Sequence, residues 1–344
     1  MDDYFGLDIG NHTIKVVQLS GQAKDTPVLE AFASASTPFG VINSDNEEHK
    51  QKLSSAISEV VKAAGVHTKN AIVALPESSI FSRLCTVPYA EGEKFEEEVY
   101  WEAKRYVPGS LKDVEVEPLP IAVREINGQK MIDVLIVAAP NTLIDKYLGI
   151  VEKAGFEALA METEGIATAR AVMRTQPQDT VAVILDWGSS TTDLSVANKN
   201  GLVYSTSISI GSDTITRAIS QTFQLEWRQA EEYKKTYGIE TQHFDGKIAQ
   251  VVKPVVDSIL MEVRRAVEYF KGEFSNIPIN RVIFVGDAAL LPGLLPYSAN
   301  FLGLEVQIGT PWQGMQMKDK YASVLTKGAP AYAVAVGLAL KTDF

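Results

Sequence analysis

Two similar segments, one in each half of the chain, contain residue types suited to holding a phosphate group. The first reads LDIGNHTIKVVQL (7–19) and the second reads LDWGSSTTDLSV (185–196). In each, an apolar stretch leads into Asp-x-Gly, a small polar turn follows, and a second apolar stretch leaves the turn. The backbone N–H groups and hydroxyls of such a turn can surround a phosphate while the Asp faces a cation. Two copies predict two similar lobes that close on one nucleotide.

The two turns differ in how strongly they indicate phosphate binding. In the first, Asp8 ends a strand, Gly10 allows a ligand to approach the backbone, and Thr13 offers a hydroxyl. Lys15 either meets phosphate charge or faces solvent. A plain β-hairpin also favours Asp, Asn and Gly, so the first turn alone fits both interpretations. The second turn has a density of hydroxyls that no hairpin requires, from Ser189, Ser190, Thr191 and Thr192.

A third segment, VIFVGDAALLPGL (282–294), combines a buried strand with a glycine turn. Gly286 and the small residues Ala288 and Ala289 suit close approach by a flat ring or a ribose. A tight strand-to-helix turn would have the same composition, so this segment depends on its context. The order of the three segments, two phosphate turns and then a glycine turn, favours a nucleotide site.

Composition narrows the class of protein. The chain has 344 residues, of which 46% are hydrophobic, enough to bury a large core and to form two or more domains. Its net charge of −11 argues against nucleic acid or an anionic membrane as the main partner. The single cysteine, Cys85, fits a reducing compartment. No apolar run approaches the ~20 residues of a membrane helix, and the first residues lack a signal peptide. We expect a cytoplasmic protein.

Apolar periodicity predicts an α/β fold. Apolar runs indicate strands on both sides of each Asp-Gly turn and also at 71–75 and 281–285. Helical spacing indicates helices at 53–65, 141–154, 213–223, 227–237 and 329–340, and a long amphipathic helix that includes Ile259, Leu260, Val263, Val267, Phe270 and Phe274. An acidic and aromatic helix at 91–106 precedes two strand-like runs around Asn127-Gly128, a strong hairpin signal. We interpret 85–160 as a small α/β module inserted into the first lobe.

These residues, in this order, resemble the actin-like ATPase superfamily, which includes actin, FtsA, MreB and the heat-shock chaperone ATPases. Within it the chain resembles the PilM family of type IV pilus assembly proteins. The likeness covers nearly the whole chain and is carried by FGLDIGNHTIKVVQL, WEAKRYVPGSLKDVEVEPLPI, VEKAGFEALAMETEGIATARA, GSDTITRAISQTFQLEWRQAEEYKKTYG and YAVAVGLAL. It implies a two-lobed fold with a duplicated mixed sheet flanked by helices and an inserted small α/β subdomain.

The resemblance also implies a division of the chain. The expected parts are a first-lobe core (1–84, 161–178 and 326–344), an inserted subdomain (85–160), a second-lobe core (179–222 and 278–325) and a helical subdomain beside the nucleotide base (223–277).

Roles in an ATP site follow by position from the same resemblance. Asp8 and Asp186 would face Mg²⁺, and Glu164 would orient the attacking water. The phosphates would contact Gly10, Asn11, Thr13, Lys15, Gly188, Ser189, Thr191 and Thr192. The sugar or the phosphates would lie near Gly211 and Asp213. The ribose would contact Glu231 and Lys234, and the base would lie near Gly286 and Ala288. Asp213 also suits a helix cap, and Glu231 with Lys234 also suits an exposed i,i+3 ion pair.

Two features depart from the family pattern. Many relatives have consecutive glycines where this chain reads Gly286-Asp287-Ala288, so Asp287 brings a charge near the base pocket. Trp187 is bulky for a position beside phosphates, unless it points into the core on the other face of its strand. We therefore expect ATP binding with weak or no hydrolysis.

The resemblance implies a cytoplasmic ATP-binding scaffold, peripheral at the inner membrane, that docks the short N-terminal tail of a PilN-like membrane protein. The docking groove would lie within 85–160 near Tyr100, Trp101 and Tyr106, unless those aromatics belong to the core. Further partners would be other assembly proteins, including the assembly ATPase and the platform protein, with possible self-association.

Two other functions remain alternatives. An actin-like ATPase of the FtsA or MreB type would use turnover to drive polymerisation or a conformational cycle. A sugar or acetate kinase is least favoured, because no segment suggests a catalytic Asp or a sugar pocket. We expect no nucleic-acid partner and no direct membrane insertion, since the chain ends in KTDF directly after its Ala-rich helix.

Overall fold

Two five-stranded mixed sheets with the same strand arrangement form the frame of the molecule. The computed structural model describes residues 3–21, 26–42, 44, 46–273, 278–319, 321, 325 and 328–342. The strand orders are β3-β2-β1-β4-β8 and β11-β10-β9-β12-β13. In both, three antiparallel strands are followed by two parallel ones. The predicted α/β fold with a duplicated mixed sheet is confirmed.

The first sheet has helices on both faces. Its strands are β1 (Tyr4–Ile9), β2 (Thr13–Ser20), β3 (Val28–Ser36), β4 (Asn70–Leu75) and β8 (Glu157–Thr163). Their apolar side chains pack on one face against α1 (Glu47–Ala64) and α3 (Asn141–Lys153). On the other face lie α4 (Glu164–Met173) and α9 (Ala333–Ala339). Helix α4 also packs on the second sheet, so it lies between the two sheets.

The second sheet carries the helical part of the other lobe. Its strands are β9 (Ala182–Trp187), β10 (Thr192–Asn198), β11 (Gly201–Ile208), β12 (Arg281–Val285) and β13 (Glu305–Ile308). One large core joins it to α5 (Ser212–Phe223), α6 (Trp227–Tyr237), α7 (Lys247–Glu273) and α8 (Leu294–Leu302). The helices predicted at 213–223 and 227–237 are confirmed. Phe274, predicted to extend the long helix, lies outside the described residues.

A third, three-stranded sheet has the order β5-β7-β6. Its strands are β5 (Phe81–Pro88), β6 (Val114–Ile126) and β7 (Gln129–Pro140), and α2 (Glu93–Tyr106) covers one face. The predicted Asn127-Gly128 hairpin is present, with φ of 53° and 79°, as a tight hairpin turn requires. Helix α3 and strand β8 pack with the first sheet rather than with this one. The domain boundaries proposed from the sequence stay a prediction.

Within the described part of the chain, no helix is both long enough and apolar enough to cross a membrane.

Candidate functional site

The two Asp-Gly turns face a common cleft between the lobes. Because the sheets share one topology, the β1–β2 and β9–β10 turns occupy equivalent places at their sheet edges. The start of α4 and the turn after β12 complete the walls. The cleft encloses a cavity of about 70 Å³, and eleven of the predicted site residues line it: Asp8, Gly10, Asn11, Thr13, Lys15, Glu164, Asp186, Gly188, Ser189, Thr191 and Gly286.

The turns match each other in backbone geometry. The N–H of Gly10 donates to the carbonyl of Thr13, and the N–H of Gly188 donates to the carbonyl of Thr191, both at 3.0 Å. A Cβ at either glycine would lie 2.9 or 3.1 Å from that same carbonyl oxygen. Each glycine is therefore needed for a tight turn that leaves the neighbouring N–H groups and hydroxyls facing the cleft. Trp187 is fully buried in the core, as its strand position allows.

Helix α5 begins against the second turn. The N–H groups of Ser212 and Asp213 donate to the carbonyls of Gly188 (3.0 Å) and Ser189 (2.9 Å). A Cβ at Gly211 would lie 2.1 Å from the carbonyl oxygen of Ser189, so only glycine fits there. These contacts fix the second turn on a helix of 12 residues.

A buried lysine lies among carboxylates inside the cleft. Lys15 Nζ is 3.7 Å from an oxygen of Asp8 and 3.7 Å from an oxygen of Asp287. The Lys15 side chain is only 9% exposed, so the alternative in which it faces solvent is wrong. Burial lowers the pKa of Lys15, but the charges of Asp8, Asp287 and Asp186 more than offset that effect and the pKa is raised. Lys15 is therefore a permanent cation.

The other acids of the cleft are buried with raised pKa values. Burial, with the charges of Asp193 and Asp8, raises the pKa of Asp186 to about 8. The same causes raise the pKa of Glu164 well above its usual range. Burial raises the pKa of Asp193 to about 6, although the Ser207 hydroxyl donates to it at 2.5 Å. Burial and crowding thus favour the protonated forms of these acids, and a cation bound beside them would favour their ionised forms instead.

Glu164 lies at the first position of α4 with its carboxyl inside the cleft. Its Oε2 accepts the backbone N–H of Glu77 at 3.0 Å. Glu77 in turn accepts the backbone N–H of Gly165 (3.2 Å) and the hydroxyl of Ser205 from the second lobe. The carboxyl group of Glu164 is thus held by the backbone of Glu77, and the side chain of Glu77 makes the hydrogen bond to the second lobe.

Three ionisable residues that line the cleft were not among the predicted site residues. His12 Nε2 lies 3.1 Å from an oxygen of Asp213, which joins the first turn to α5 across the cleft. Asp193 faces the cavity from β10, and Asp287 faces it from the turn after β12. Asp193 could have been found from the sequence, because it is a charged residue in an otherwise buried strand. His12 carried no such signal, because its partner lies 201 residues away in sequence.

Several predicted residues lie behind the cleft walls rather than in them. Thr192 is fully buried and its hydroxyl donates to the carbonyl of Ile210 at 2.7 Å. Ala288 is buried beside Gly286. Glu231 and Lys234 form an i,i+3 ion pair at 2.6 Å, but Lys234 is buried and also donates to the carbonyl of Ser212. The pair therefore stabilises the start of α5 and is not the exposed pair of the alternative reading.

The donor set suits a magnesium–nucleotide rather than a bare ion. Among the described residues, no group of three or more His, Cys, Asp or Glu side chains is arranged to hold a metal. Mg²⁺ typically takes one or two carboxylates and completes its shell with water and phosphate oxygens. Asp8 and Asp186, one from each lobe, would supply those carboxylates. Lys15 and the two turns would supply the countercharge and donors for phosphate.

A separate groove lies between two sheet edges. β8 is the last strand of the first sheet and β6 is the last strand of the third sheet. Between them lies a cavity of about 300 Å³ with an apolar lining that includes Ile144, Leu148 and Val137. It continues into a cavity of about 870 Å³, since both are lined by Glu117, Ala160, Met161, Glu162 and Ile166. We call these joined cavities the edge groove.

The aromatic residues predicted to lie near a docking groove do not line the edge groove. Tyr100 and Trp101 are on α2, 50% and 54% exposed, with their rings in edge contact. They are neither core residues nor part of the edge groove. Tyr106 packs in the small core of the third sheet, and Arg83 lies over its ring at 3.7 Å.

Comparisons with known proteins agree with this architecture. The family model described as type IV pilus assembly protein PilM matches residues 6–343. A solved PilM–PilN type IV pilus biogenesis complex contains a chain that is 26% identical, with a TM-score of 0.85 and 98% coverage of both chains. The cell division protein FtsA of Enterococcus hirae is 22% identical over 360 residues, which cover 90% of this chain and 78% of that protein.

More distant structures share the fold. MreB5 of Spiroplasma citri bound to ADP has a TM-score of 0.55 at 13% identity, covering 98% of this chain and 95% of that chain. The fold and the two-turn cleft thus define a protein of the actin-like ATPase superfamily. Within that superfamily the chain belongs to the PilM family of type IV pilus assembly proteins.

Proposed function

We propose that this chain is a nucleotide-binding scaffold of type IV pilus assembly. It binds Mg²⁺–ATP in the cleft and docks the N-terminal tail of a PilN-like membrane protein in the edge groove. The observation that carries the proposal is the position of β8. Its free edge lines the groove, and its last residue, Thr163, is followed by Glu164 in the cleft. One strand therefore connects the two sites.

The cleft supports nucleotide binding through groups from both lobes. Asp8 and Asp186 would hold Mg²⁺, which supplies the charge that offsets the phosphates. Lys15 would pair with phosphate oxygens, and the N–H groups and hydroxyls of the two turns would donate to them. Solved MreB5 structures with ADP and with AMPPNP support nucleotide binding by this fold. Contacts to the sugar or phosphates remain a prediction for Gly211 and Asp213, and contacts to the ribose remain one for Glu231 and Lys234. Contacts to the base remain a prediction for Gly286 and Ala288.

ATP hydrolysis has less support than ATP binding. A base must accept a proton from water or orient it, and Glu164 is the candidate in the cleft. Burial and the neighbouring carboxylates raise the pKa of Glu164, which favours its protonated form, and a protonated carboxyl group cannot accept a proton. We propose slow hydrolysis at most. Turnover near ~1 s⁻¹ in purified protein would instead favour the second candidate, a cycling ATPase of the FtsA or MreB type.

The edge groove suits an extended peptide. Within the described part of the chain β8 pairs with β4 alone, so its outer edge can accept an added strand. β6 offers fewer, because Pro118 and Pro120 lack N–H groups. The apolar lining beside α3 would receive apolar side chains of the tail. The solved PilM–PilN complex supports a PilN-like partner, and through it a position at the inner membrane. The other assembly proteins, including the assembly ATPase and platform protein, stay a proposal.

Nucleotide binding is tested by removing each carboxylate in turn. Asp8→Ala and Asp186→Ala should each reduce Mg²⁺–ATP affinity below detection, because each removes half of the protein's contribution to the cation site. Titration calorimetry with wild-type protein and with Asp179→Ala, an exposed residue outside the cleft, provides the reference. Wild-type affinity in both cleft variants would contradict the nucleotide site.

Tail docking is tested with a synthetic peptide of the partner's N-terminal tail. Leu148→Arg places a charge in the apolar part of the edge groove and should weaken binding at least tenfold, because the charge must be desolvated when the peptide binds. Trp101→Ala, on α2, should leave binding unchanged. Peptide binding lost in Trp101→Ala and retained in Leu148→Arg would place the docking site on α2 instead. Unchanged nucleotide affinity would show that both variants are folded.

A further inference from the structure

Two contacts between a basic and an acidic side chain join the lobes across the nucleotide cleft. In each, the basic side chain belongs to the first lobe and the carboxylate to the second: His12 with Asp213 at 3.1 Å, and Lys15 with Asp287 at 3.7 Å. The described lining of the cleft contains only these two basic side chains, against five acidic ones. Both groups that could attract phosphate are therefore already paired with a carboxylate from the opposite lobe.

Asp287 differs from the other acids of the cleft. Asp8 and Asp193 are buried and Asp186 and Glu164 are half-buried, whereas the side chain of Asp287 is 47% exposed at the cleft mouth. Its carboxylate reaches one partner among the described residues, Lys15. It contributes nothing to the hydrophobic core and caps no helix. Its main effect is consequently on the charge that a ligand meets in the cleft.

The backbone fixes Asp287 in this place. Gly286 has a φ of 84°, and a Cβ there would lie 2.5 Å from a carboxylate oxygen of Asp186. The N–H of Gly286 donates to the carbonyl of Pro330 at 3.0 Å. Asp287 therefore follows a glycine that is held directly against Asp186, and its backbone is fixed where its carboxylate reaches Lys15, the proposed phosphate partner.

We infer that Asp287 is an affinity-setting residue that weakens the binding of nucleoside di- and triphosphates in this cleft. This inference rests on the proposed nucleotide site. Without ligand, Asp287 occupies Lys15, and phosphate must displace it. With ligand, the same carboxylate faces the phosphates as a like charge, which is unfavourable. The cavity of about 70 Å³ is well below the ~300 Å³ of typical ligand pockets, so both cross-lobe pairs must separate before a nucleotide enters.

The test compares Asp287→Asn with wild type and with Asp179→Asn, which makes the same charge change at an exposed site outside the cleft. Affinities for Mg²⁺–ATP and Mg²⁺–ADP are measured by titration calorimetry on the full chain. Asp287→Asn should bind both about tenfold more tightly, because a like charge is removed and Lys15 is released. Asp179→Asn should match wild type. Thermal unfolding checks folding, and Asp287→Ser provides a second variant.

Adenosine serves as a ligand control because it lacks phosphate. Its affinity should be the same in Asp287→Asn and wild type. Equal or weaker Mg²⁺–ATP binding by both Asp287 variants would overturn the inference, as would an equal gain for adenosine. If wild type and variants alike bind no nucleotide, the proposed function fails together with the inference. If wild type binds and the Asp287 variants bind equally, only the inference fails.

Discussion

At the residue scale, the cleft depends on carboxylates that the fold buries at a cost. Asp193 has an ordinary pKa of 3.8, which burial raises to about 6. From pH 4 to pH 6 the unfolded chain therefore releases a proton that the folded protein retains. Stability from this group is present below pH 4 and is lost as the pH rises to about 6. Its neighbours Asp8, Asp186 and Glu164 have raised pKa values and act in the same direction.

Asp193→Asn should therefore stabilise the nucleotide-free protein at neutral pH. Asparagine keeps an acceptor for the Ser207 hydroxyl and carries no charge. The expected gain in the free energy of unfolding is about 2 kcal/mol at pH 7 and vanishes near pH 4. Urea unfolding of variant and wild type across this range measures the difference. A gain that is constant with pH would show that the charge of Asp193 is not responsible.

Some residues of the cleft could be predicted from the sequence, and others could not. Asp8, Asp186 and the glycines of the turns were identified because local turn chemistry and a repeated pattern indicate them. The sequence left the burial of Lys15 undecided, because its surroundings include residues distant in the chain, such as Asp287 on the other lobe. His12 was missed for the same reason, because an ion pair across a cleft leaves no local pattern.

At the element scale, the crossing of α4 and α9 fixes how the first sheet and the C-terminal segment pack. Gly337 lies in α9, and a Cβ there would be 1.8 Å from the backbone oxygen of Ala167 in α4. Its own carbonyl accepts from Arg170 at 2.8 Å. The two helix backbones are therefore in direct contact. Helix α4 begins with Glu164, which lines the cleft.

Gly337→Ala should destabilise the protein by about 3 kcal/mol, because the helices must separate to admit the methyl group. The matched control is Gly149→Ala in α3, where a Cβ meets nothing within 4 Å. That change should stabilise by about 0.5 kcal/mol or more through helix propensity. Urea unfolding measures both. Equal effects of the two substitutions would contradict the close crossing.

Elements were largely predictable because apolar periodicity and turn residues act locally. The Asn127-Gly128 hairpin and the helix ending at Gly65 are examples. The edge groove was not predictable, because it arises where β6 and β8, from different sheets, come together. The aromatic residues Tyr100 and Trp101 are visible in the sequence, but they lie on α2 and do not line the edge groove.

At the scale of the whole molecule, two lobes of one topology enclose a cleft that is smaller than its expected ligand. The repeated Asp-Gly turn predicted this duplication, since each turn joins the first two strands of its sheet. The degree of closure depends on pairs such as His12 with Asp213, which only the folded arrangement creates. The extent of lobe closure could therefore not be predicted from the sequence, because it depends on contacts between residues that are far apart in the chain.

The continuity of β8 and α4 has a thermodynamic consequence. Glu162 lines the groove and Glu164 lines the cleft, so a single residue, Thr163, lies between them in the chain. If peptide binding shifts this segment, the sites are allosterically coupled, and the coupling is reciprocal. Whatever factor the peptide imposes on nucleotide affinity, the nucleotide must impose on peptide affinity. A membrane partner could then set the nucleotide occupancy of its scaffold without any hydrolysis.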